Sequence, residues 1–136
     1  MSQTKQTYLL MLHGDEQRWA QADPDQIRAA YGLHGRFSEQ CTSRGHVILG
    51  GEELAPAATA RVVRAVPGER PTVTDGPFAE TAEQLGGYYL IETGDVDDLI
   101  AIIAPLVEGE GAAELRPVVR TVESEGAGLQ AAEAHA

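Results

Sequence analysis

The chain has 136 residues, with 21 acidic and 10 basic side chains, a formal net charge of −11 at pH 7, and one cysteine. This length predicts one domain with its own core, and the acidic balance argues against direct nucleic-acid binding because a phosphate backbone would be repelled. One cysteine excludes an internal disulfide framework and a Cys-based zinc cluster, and the N-terminal apolar run is too short for a signal peptide or membrane span, so we expect a cytoplasmic protein.

The first half of the chain predicts a strand, a helix and a second strand. The apolar run at residues 7–13 is continuous, which is typical of a central strand covered on both faces. Asp23 before Pro24 supplies an N-cap and a first helical position, and Gly45 is expected to end the helix. Residues 46–49 follow as a short strand, after which a Gly-Gly pair suggests a bulge or a close backbone approach. The core-facing stripe of the helix comprises Ile27, Ala30, Tyr31, His34, Phe37 and Cys41.

The middle of the chain predicts a hairpin followed by a strong strand. Turn residues join the segments 59–66 and 72–74, which are expected to pair as the arms of the hairpin. Residues 80–84 have room for one helical turn, and the glycine pair at 86–87 predicts a tight turn. The strand 88–93 is expected to be central in the sheet.

The C-terminal part predicts a second helix, a last strand and a tail. Asp95 caps the helix, Pro105 is expected to kink or close it, and residues 114–122 form the strand. We therefore expect one domain at 1–122 and a flexible acidic tail at 123–136. The element order predicts an α+β fold that resembles the ferredoxin-like βαββαβ plan with an inserted hairpin. Helices on one face leave an open sheet face, which predicts a homodimer.

Four segments carry a resemblance to a known family: YLLMLHGDE at 8–16, HGRFSEQCTSRG at 34–45, VTDGPFAETAEQLGGYYLIE at 73–92 and ELRPV at 114–118. Together they make the chain similar to the YCII-related family, in particular its DGPF subgroup. The resemblance implies a dimeric α/β barrel built from ferredoxin-like subunits. It also implies a pocket where a histidine and an aspartate have been proposed as a catalytic pair, with no assigned reaction.

The resemblance places the catalytic histidine at His34, and the aspartate that best fits is Asp75 of the DGPF turn. Histidine side chains titrate near neutral pH, so an imidazole beside a carboxylate suits general acid or base chemistry. Tyr31, Phe78 and His13 are the expected substrate-binding residues. Both residues also have a possible structural role. His34 could be a core histidine satisfied by one hydrogen bond, and Asp75 could be a turn residue that accepts hydrogen bonds from backbone N–H groups.

Two function classes stay open on the sequence. The chain is either a small-molecule enzyme with lyase- or hydrolase-type acid–base chemistry, or a non-catalytic ligand-binding or regulatory module. The resemblance implies, for the second class, a link to extracytoplasmic-function sigma factors. A purely structural dimer explains the fold but not the polar residues around the pocket. We expect no cofactor, and no metal because His13, His34 and His46 show no recognisable ligand spacing.

Overall fold

The structure, a computed structural model, describes residues 4–119. The predicted tail at 123–136 and the last residues of the predicted domain, 120–122, lie outside the described residues. The elements in chain order are β1 Gln6–Asp15, α1 Glu16–Ala20, α2 Pro24–Arg44, β2 Val47–Glu53, a short 3-10 helix Ala57–Thr59, β3 Arg61–Arg64, β4 Thr72–Asp75, β5 Glu83–Thr93, α3 Val96–Glu110 and β6 Ala112–Pro117.

Four strands form an antiparallel sheet in the order β2-β5-β1-β6, and β3 pairs with β4 in a separate antiparallel ribbon. The predicted central positions of β1 and β5 and the predicted hairpin are therefore confirmed. The α+β arrangement is compatible with the ferredoxin-like plan. No helix within residues 4–119 is long and apolar enough to cross a membrane.

Helix α2 begins and ends where local chemistry predicts. The Asp23 carboxylate accepts the N–H of Gln26 at 2.8 Å, and the Gln26 side chain accepts the N–H of Asp23 at 2.9 Å, which completes a capping box. Pro24 occupies the first turn, where its missing N–H costs nothing. Gly45 ends the helix with a left-handed φ of 84°, a conformation that glycine adopts without strain.

The core lies between α2, α3 and one face of the sheet. Its fully or nearly fully buried side chains are Leu10, Leu12, Phe37, Cys41, Ile91, Leu99, Ile102, Ile103 and Leu106. Because strand side chains alternate, the residues between the buried ones point to the opposite face of the sheet. Leu9, Met11, Tyr88 and Leu90 occupy that opposite face, which we call the open face, and they are partly exposed.

Two predictions near β5 are wrong. Residues 80–82 form no helix, and the glycine pair at 86–87 lies inside β5, which already begins at Glu83. Gly87 serves strand packing: a Cβ there would lie 3.1 Å from the carbonyl oxygen of Glu52 on β2. The predicted close approach at the Gly50-Gly51 pair is confirmed, since a Cβ at Gly51 would lie 2.6 Å from the carbonyl oxygen of Tyr88. The pair lies inside β2, however, because the strand continues past the predicted end at residue 49 after a register shift between Ile48 and Gly50.

The helices differ from prediction at two further points. Helix α3 starts at its predicted cap, but it runs five residues past Pro105. Pro105 and Ala101, four residues before it, are both exposed, so the carbonyl that loses its helical hydrogen bond can bond water instead. The short helix α1 was not predicted because its five residues carry no apolar period. Asp15 starts it by accepting the N–H of Gln17 at 2.9 Å.

Candidate functional site

His34 lies on α2 with both ring nitrogens engaged. Its Nδ1 lies 2.7 Å from Tyr89 Oη, and its Nε2 lies 2.6 Å from Glu110 Oε1. The side chains of His34 and Glu110 are 24% and 29% exposed, so the group is reached by solvent from one side. Glu110, His34 and Tyr89 thus form a continuous chain of carboxylate, imidazole and phenol, which we call the histidine triad.

Three elements bring the histidine triad together. The core-facing stripe of α2 directs His34 toward the sheet one turn before Phe37. Tyr89 lies on the helix-facing side of β5, where its ring packs 5.3 Å from the Phe37 ring and 5.9 Å from the His34 ring, centroid to centroid. Glu110 is the last residue of α3. It fits against β1 only because Gly14 has no side chain: a Cβ there would lie 2.5 Å from the Glu110 carbonyl oxygen.

The hydrogen-bond chemistry fixes the proton positions in the histidine triad. An ionised carboxylate only accepts, so His34 Nε2 carries the hydrogen that it donates to Glu110. When His34 is neutral, Nδ1 has a lone pair and accepts from the Tyr89 hydroxyl; when His34 is protonated, Nδ1–H donates to that hydroxyl. Burial, and then the charge of Glu110, raises the pKa of Tyr89, so its phenol stays protonated at neutral pH. A proton can therefore pass between His34 and its surroundings through the Tyr89 hydroxyl.

Asp75 forms no hydrogen bond with His34, whose partners are Tyr89 and Glu110. It ends β4, is exposed, and pairs across the ribbon with Arg61. The next residue, Gly76, donates its N–H to the carbonyl of Ala60 at 2.8 Å, which closes the DGPF turn onto the start of β3. Since Glu110 and Tyr89 take both ring nitrogens of His34, the carboxylate that holds this histidine is Glu110 and not Asp75.

Tyr31, a predicted substrate-binding residue, has a partner of its own. It lies one turn before His34 and is 52% exposed. Its hydroxyl donates to the Glu53 carboxylate, with oxygen distances of 2.9 and 3.2 Å, and this hydrogen bond raises the pKa of Tyr31. Tyr31 therefore connects α2 to the end of β2 beside the histidine triad rather than bonding to it.

His13 and Phe78, the other predicted substrate-binding residues, share a different cavity. This cavity has a volume of about 570 Å³ and is lined by the loop after β2, the DGPF turn and the start of β5. His34, Tyr89 and Glu110 do not line it. The structure thus brings His13 and Phe78 together but separates them from the histidine triad.

A second histidine–carboxylate pair is structural. His46, only 3% exposed, contacts Thr93 Oγ1 at 2.7 Å through Nδ1 and Asp98 Oδ2 at 2.8 Å through Nε2. The Arg44 guanidinium and then His46 hold the pKa of Asp98 at about 2, well below its usual range. This network joins the ends of α2 and β5 to the start of α3 and offers a substrate no access to the imidazole. Within residues 4–119, no group of three or more His, Cys, Asp or Glu side chains is arranged to hold a metal ion.

Glu110 and Tyr89 were missed by the sequence analysis. Tyr89 had a signal, because it lies two residues before Ile91 and therefore on the same, buried face of a strand whose faces could be assigned. No sequence signal pointed to Glu110, because its contact with His34 requires α3 to continue past Pro105, which was expected to kink or close the helix.

The chain matches known proteins over most of its length. The family model of the YCII-related domain matches residues 7–122. The uncharacterized protein R00369 of Rhizobium meliloti (strain 1021) is similar to this chain, with 29% identity over 117 residues that cover 82% of this chain and 90% of that protein. Because the family match spans most of the chain, the protein belongs to the YCII-related domain family.

Proposed function

We propose that the protein is a small-molecule enzyme whose acid–base group is His34, held by Glu110 and coupled to Tyr89. The observation that carries the proposal is the engagement of both ring nitrogens, at 2.6 and 2.7 Å, in a side chain that solvent still reaches. Carboxylate–imidazole pairs of this kind orient the ring and stabilise its protonated form during proton transfer. The reaction class that fits is lyase- or hydrolase-type chemistry on a small molecule.

The Tyr89 hydroxyl is the proposed route of the proton to the substrate. Because the imidazole has no free nitrogen, a substrate exchanges protons with His34 through the phenol or by displacing one of the two partners. When His34 is protonated and donates through Nδ1–H to Tyr89 Oη, the phenol hydrogen is free to donate to a substrate oxygen and to stabilise negative charge that develops there. Asp75 as a second catalytic residue stays a prediction, and its exposed carboxylate can be tested in the same assays.

A thermal-shift screen of the purified protein against a metabolite library tests the proposal. A true substrate should stabilise the wild type, and conversion followed by NMR should fall at least about 100-fold in His34→Gln, the usual contribution of a general acid or base. Glu39→Gln on an exposed position of α2 is the matched control and should keep both binding and conversion. Hits that bind and turn over equally well in His34→Gln would contradict the proposal.

We also propose that the protein forms a homodimer through the open face. Leu9, Met11, Tyr88 and Leu90 give that face an apolar centre between charged residues of β2 and β6, while both long helices cover the other side. Light scattering should give twice the 14.5 kDa chain mass at micromolar concentration. Met11→Glu should shift the mass toward the monomer, and Gln40→Glu, which adds the same charge on exposed α2, should not. A wild-type monomer at all concentrations would contradict the dimer.

A regulatory module that binds an extracytoplasmic-function sigma factor in the cytoplasm is the second candidate function. The observation that favours it is the β3–β4 ribbon, where the cross-strand partners Val63 and Val73 are 66% and 60% exposed. Such a module needs no acid–base group. Complex formation with a purified sigma factor that is lost in Val63→Asp, together with the absence of any turnover, would favour this function over the enzyme.

A further inference from the structure

The cavity on the open-face side of the sheet is a second place where a small molecule can bind. Its volume of about 570 Å³ falls within the range of small-molecule sites. The lining residues with apolar side chains include Leu54, Pro56, Pro77, Phe78 and Leu85. The lining residues with side chains that can hydrogen-bond are His13, Thr59, Thr81, Glu83 and Gln84.

His13 and Glu83 reach the cavity from neighbouring strands. Leu12 is buried in the core under the helices, so the next residue, His13, points to the opposite side of the sheet. His13 pairs with Leu85 on β5, and Glu83 lies two residues before Leu85 on the same face. His13 and Glu83 therefore both line a largely apolar cavity, from neighbouring strands of the sheet.

The other polar side chains of the lining are already satisfied within the protein. The Thr59 hydroxyl donates to the carbonyl of Pro56 at 2.6 Å, and the Gln84 amide donates to the carbonyls of Ala79 and Thr81 at 3.0 Å. The Thr81 hydroxyl donates to the carbonyl of Glu83. By contrast, the side chains of His13 and Glu83 form no hydrogen bond with any side chain or backbone group in residues 4–119. These two groups are the ones a ligand can engage.

The charge around the cavity favours a cation. None of the residues that line it is a lysine or arginine. Glu16 adds a second carboxylate beside the loop after β2, where it accepts the N–H of the lining residue Ala57 at 2.6 Å. The Arg64 guanidinium lies 4.6 Å from the centre of the Phe78 ring, so this nearby cation is engaged with the face of an aromatic side chain. The net charge of −11 adds to the attraction for positive ligands.

We propose that this cavity binds a small organic cation that consists of an ammonium group on an apolar body. The ammonium donates to the Glu83 carboxylate and to a ring nitrogen of His13 that carries a lone pair, and the apolar body packs against Phe78 and Leu85. The charge-assisted hydrogen bond to Glu83 supplies selectivity for the cation. This site is separate from the histidine triad, so its ligand does not have to be the substrate of the proposed acid–base chemistry.

Three probes of similar size and different charge test the proposal: phenethylamine, 2-phenylethanol and 3-phenylpropionate. Titrations followed by NMR should show phenethylamine binding at least about tenfold more tightly than the neutral alcohol, and the carboxylate most weakly, as a charge-assisted bond requires. Amide shifts should concentrate in β5 residues 83–85 and the DGPF turn. Glu83→Gln should weaken phenethylamine about tenfold and leave the alcohol unchanged.

Matched variants separate this site from its surroundings. Glu80→Gln removes the same charge from an exposed residue of the same segment that does not line the cavity, and should change phenethylamine affinity less than about twofold. His34→Gln should also leave that affinity unchanged, so failure of the histidine triad and failure of this site are distinguishable. If Glu83→Gln fails to fold, Phe78→Ala should weaken phenethylamine and 2-phenylethanol together. Equal affinity for the three probes, tighter binding of the carboxylate, no binding of phenethylamine, or shifts confined to another part of the protein would each overturn the proposal.

Discussion

A double-mutant cycle on Tyr89→Phe and Glu110→Gln tests whether the histidine triad acts as one unit. Tyr89→Phe removes a 2.7 Å hydrogen bond and leaves the ring, so it should lower the free energy of unfolding by about 1 kcal/mol. Glu110→Gln keeps an acceptor opposite Nε2 but removes the charge, and we expect a loss of about 1 kcal/mol, the difference between a charged and a neutral hydrogen bond.

The two losses should not add. With Glu110 present, Nδ1 of a neutral His34 is forced to accept from Tyr89, whereas the amide that Glu110→Gln introduces can donate or accept and leaves either tautomer open. The energy of the Tyr89 bond therefore depends on the residue at position 110, and we expect a coupling of about 0.5–1 kcal/mol. For a domain of this size each single loss corresponds to a fall of about 4 °C in Tm.

Urea unfolding of the four proteins measures the coupling directly. Tyr31→Phe combined with Glu110→Gln is the matched control, because the Tyr31 hydroxyl bonds Glu53 and not His34; these two changes should add. If the stability losses of Tyr89→Phe and Glu110→Gln also add within about 0.3 kcal/mol, the two hydrogen bonds of the imidazole are energetically independent. The assignment of proton positions in the histidine triad would then be wrong.

Two further predictions concern Gly14 beside the histidine triad and Asp98 in the separate network around His46. Gly14→Ala should lower the free energy of unfolding, measured in urea, by about 1–3 kcal/mol, because its Cβ would lie 2.5 Å from the backbone of Glu110. The control Gly35→Ala on α2, where the Cβ meets open space, should raise the free energy of unfolding by about 0.5–1 kcal/mol. Equal effects of the two substitutions would refute the close approach at Gly14. Arg44 lowers the pKa of Asp98 to about 2, so the stability from this ionised group is present above the unfolded pKa of about 3.9 and is lost as the pH falls toward 2. Asp98→Asn should therefore flatten the fall of Tm between pH 5 and pH 2, and an unchanged slope would contradict this assignment.

The parts of the fold that the sequence predicts well are those set by neighbouring residues. Helix α2 starts at the Asp23–Pro24 pair and ends before Gly45, because caps and left-handed glycines act within one turn. The unbroken apolar run of β1 predicts its central position, although within the chain only its helix side is covered and Leu9 and Met11 lie on the open face.

The predictions that failed depend on contacts with distant parts of the chain. The glycine pair in β5 looks like a turn, yet Gly87 is needed because the backbone of β2 passes close to it. Pro105 was expected to kink or close α3, and the closing alternative is wrong because its position on the exposed side lets the helix continue to Glu110. In each case tertiary packing decides between two local conformations that the residue itself allows.

The candidate site was only half predictable for the same reason. The stripe on α2 correctly directs His34 toward the sheet, since it depends only on helical spacing. Its two partners are 55 and 76 residues away along the chain, and nothing local links them to it. Asp75 was chosen because it belongs to the DGPF motif, but that motif forms a turn that the Gly76 N–H closes onto the Ala60 carbonyl. The carboxylate that the fold brings to the imidazole is that of Glu110.

The protonation of His34 tests the central claim most directly. Long-range proton–nitrogen NMR spectra of protein labelled with ¹⁵N-histidine distinguish which ring nitrogen carries the hydrogen, and His34→Gln assigns its signal among the four histidines of the chain. An imidazole held between a carboxylate and a phenol should carry hydrogen on Nε2 at every pH at which Glu110 is ionised, with Nδ1 as an acceptor from Tyr89 when the ring is neutral. A neutral His34 with its hydrogen on Nδ1 would contradict the account, because the Nε2 lone pair would then face the Glu110 carboxylate and His34 could not be the acid–base group proposed.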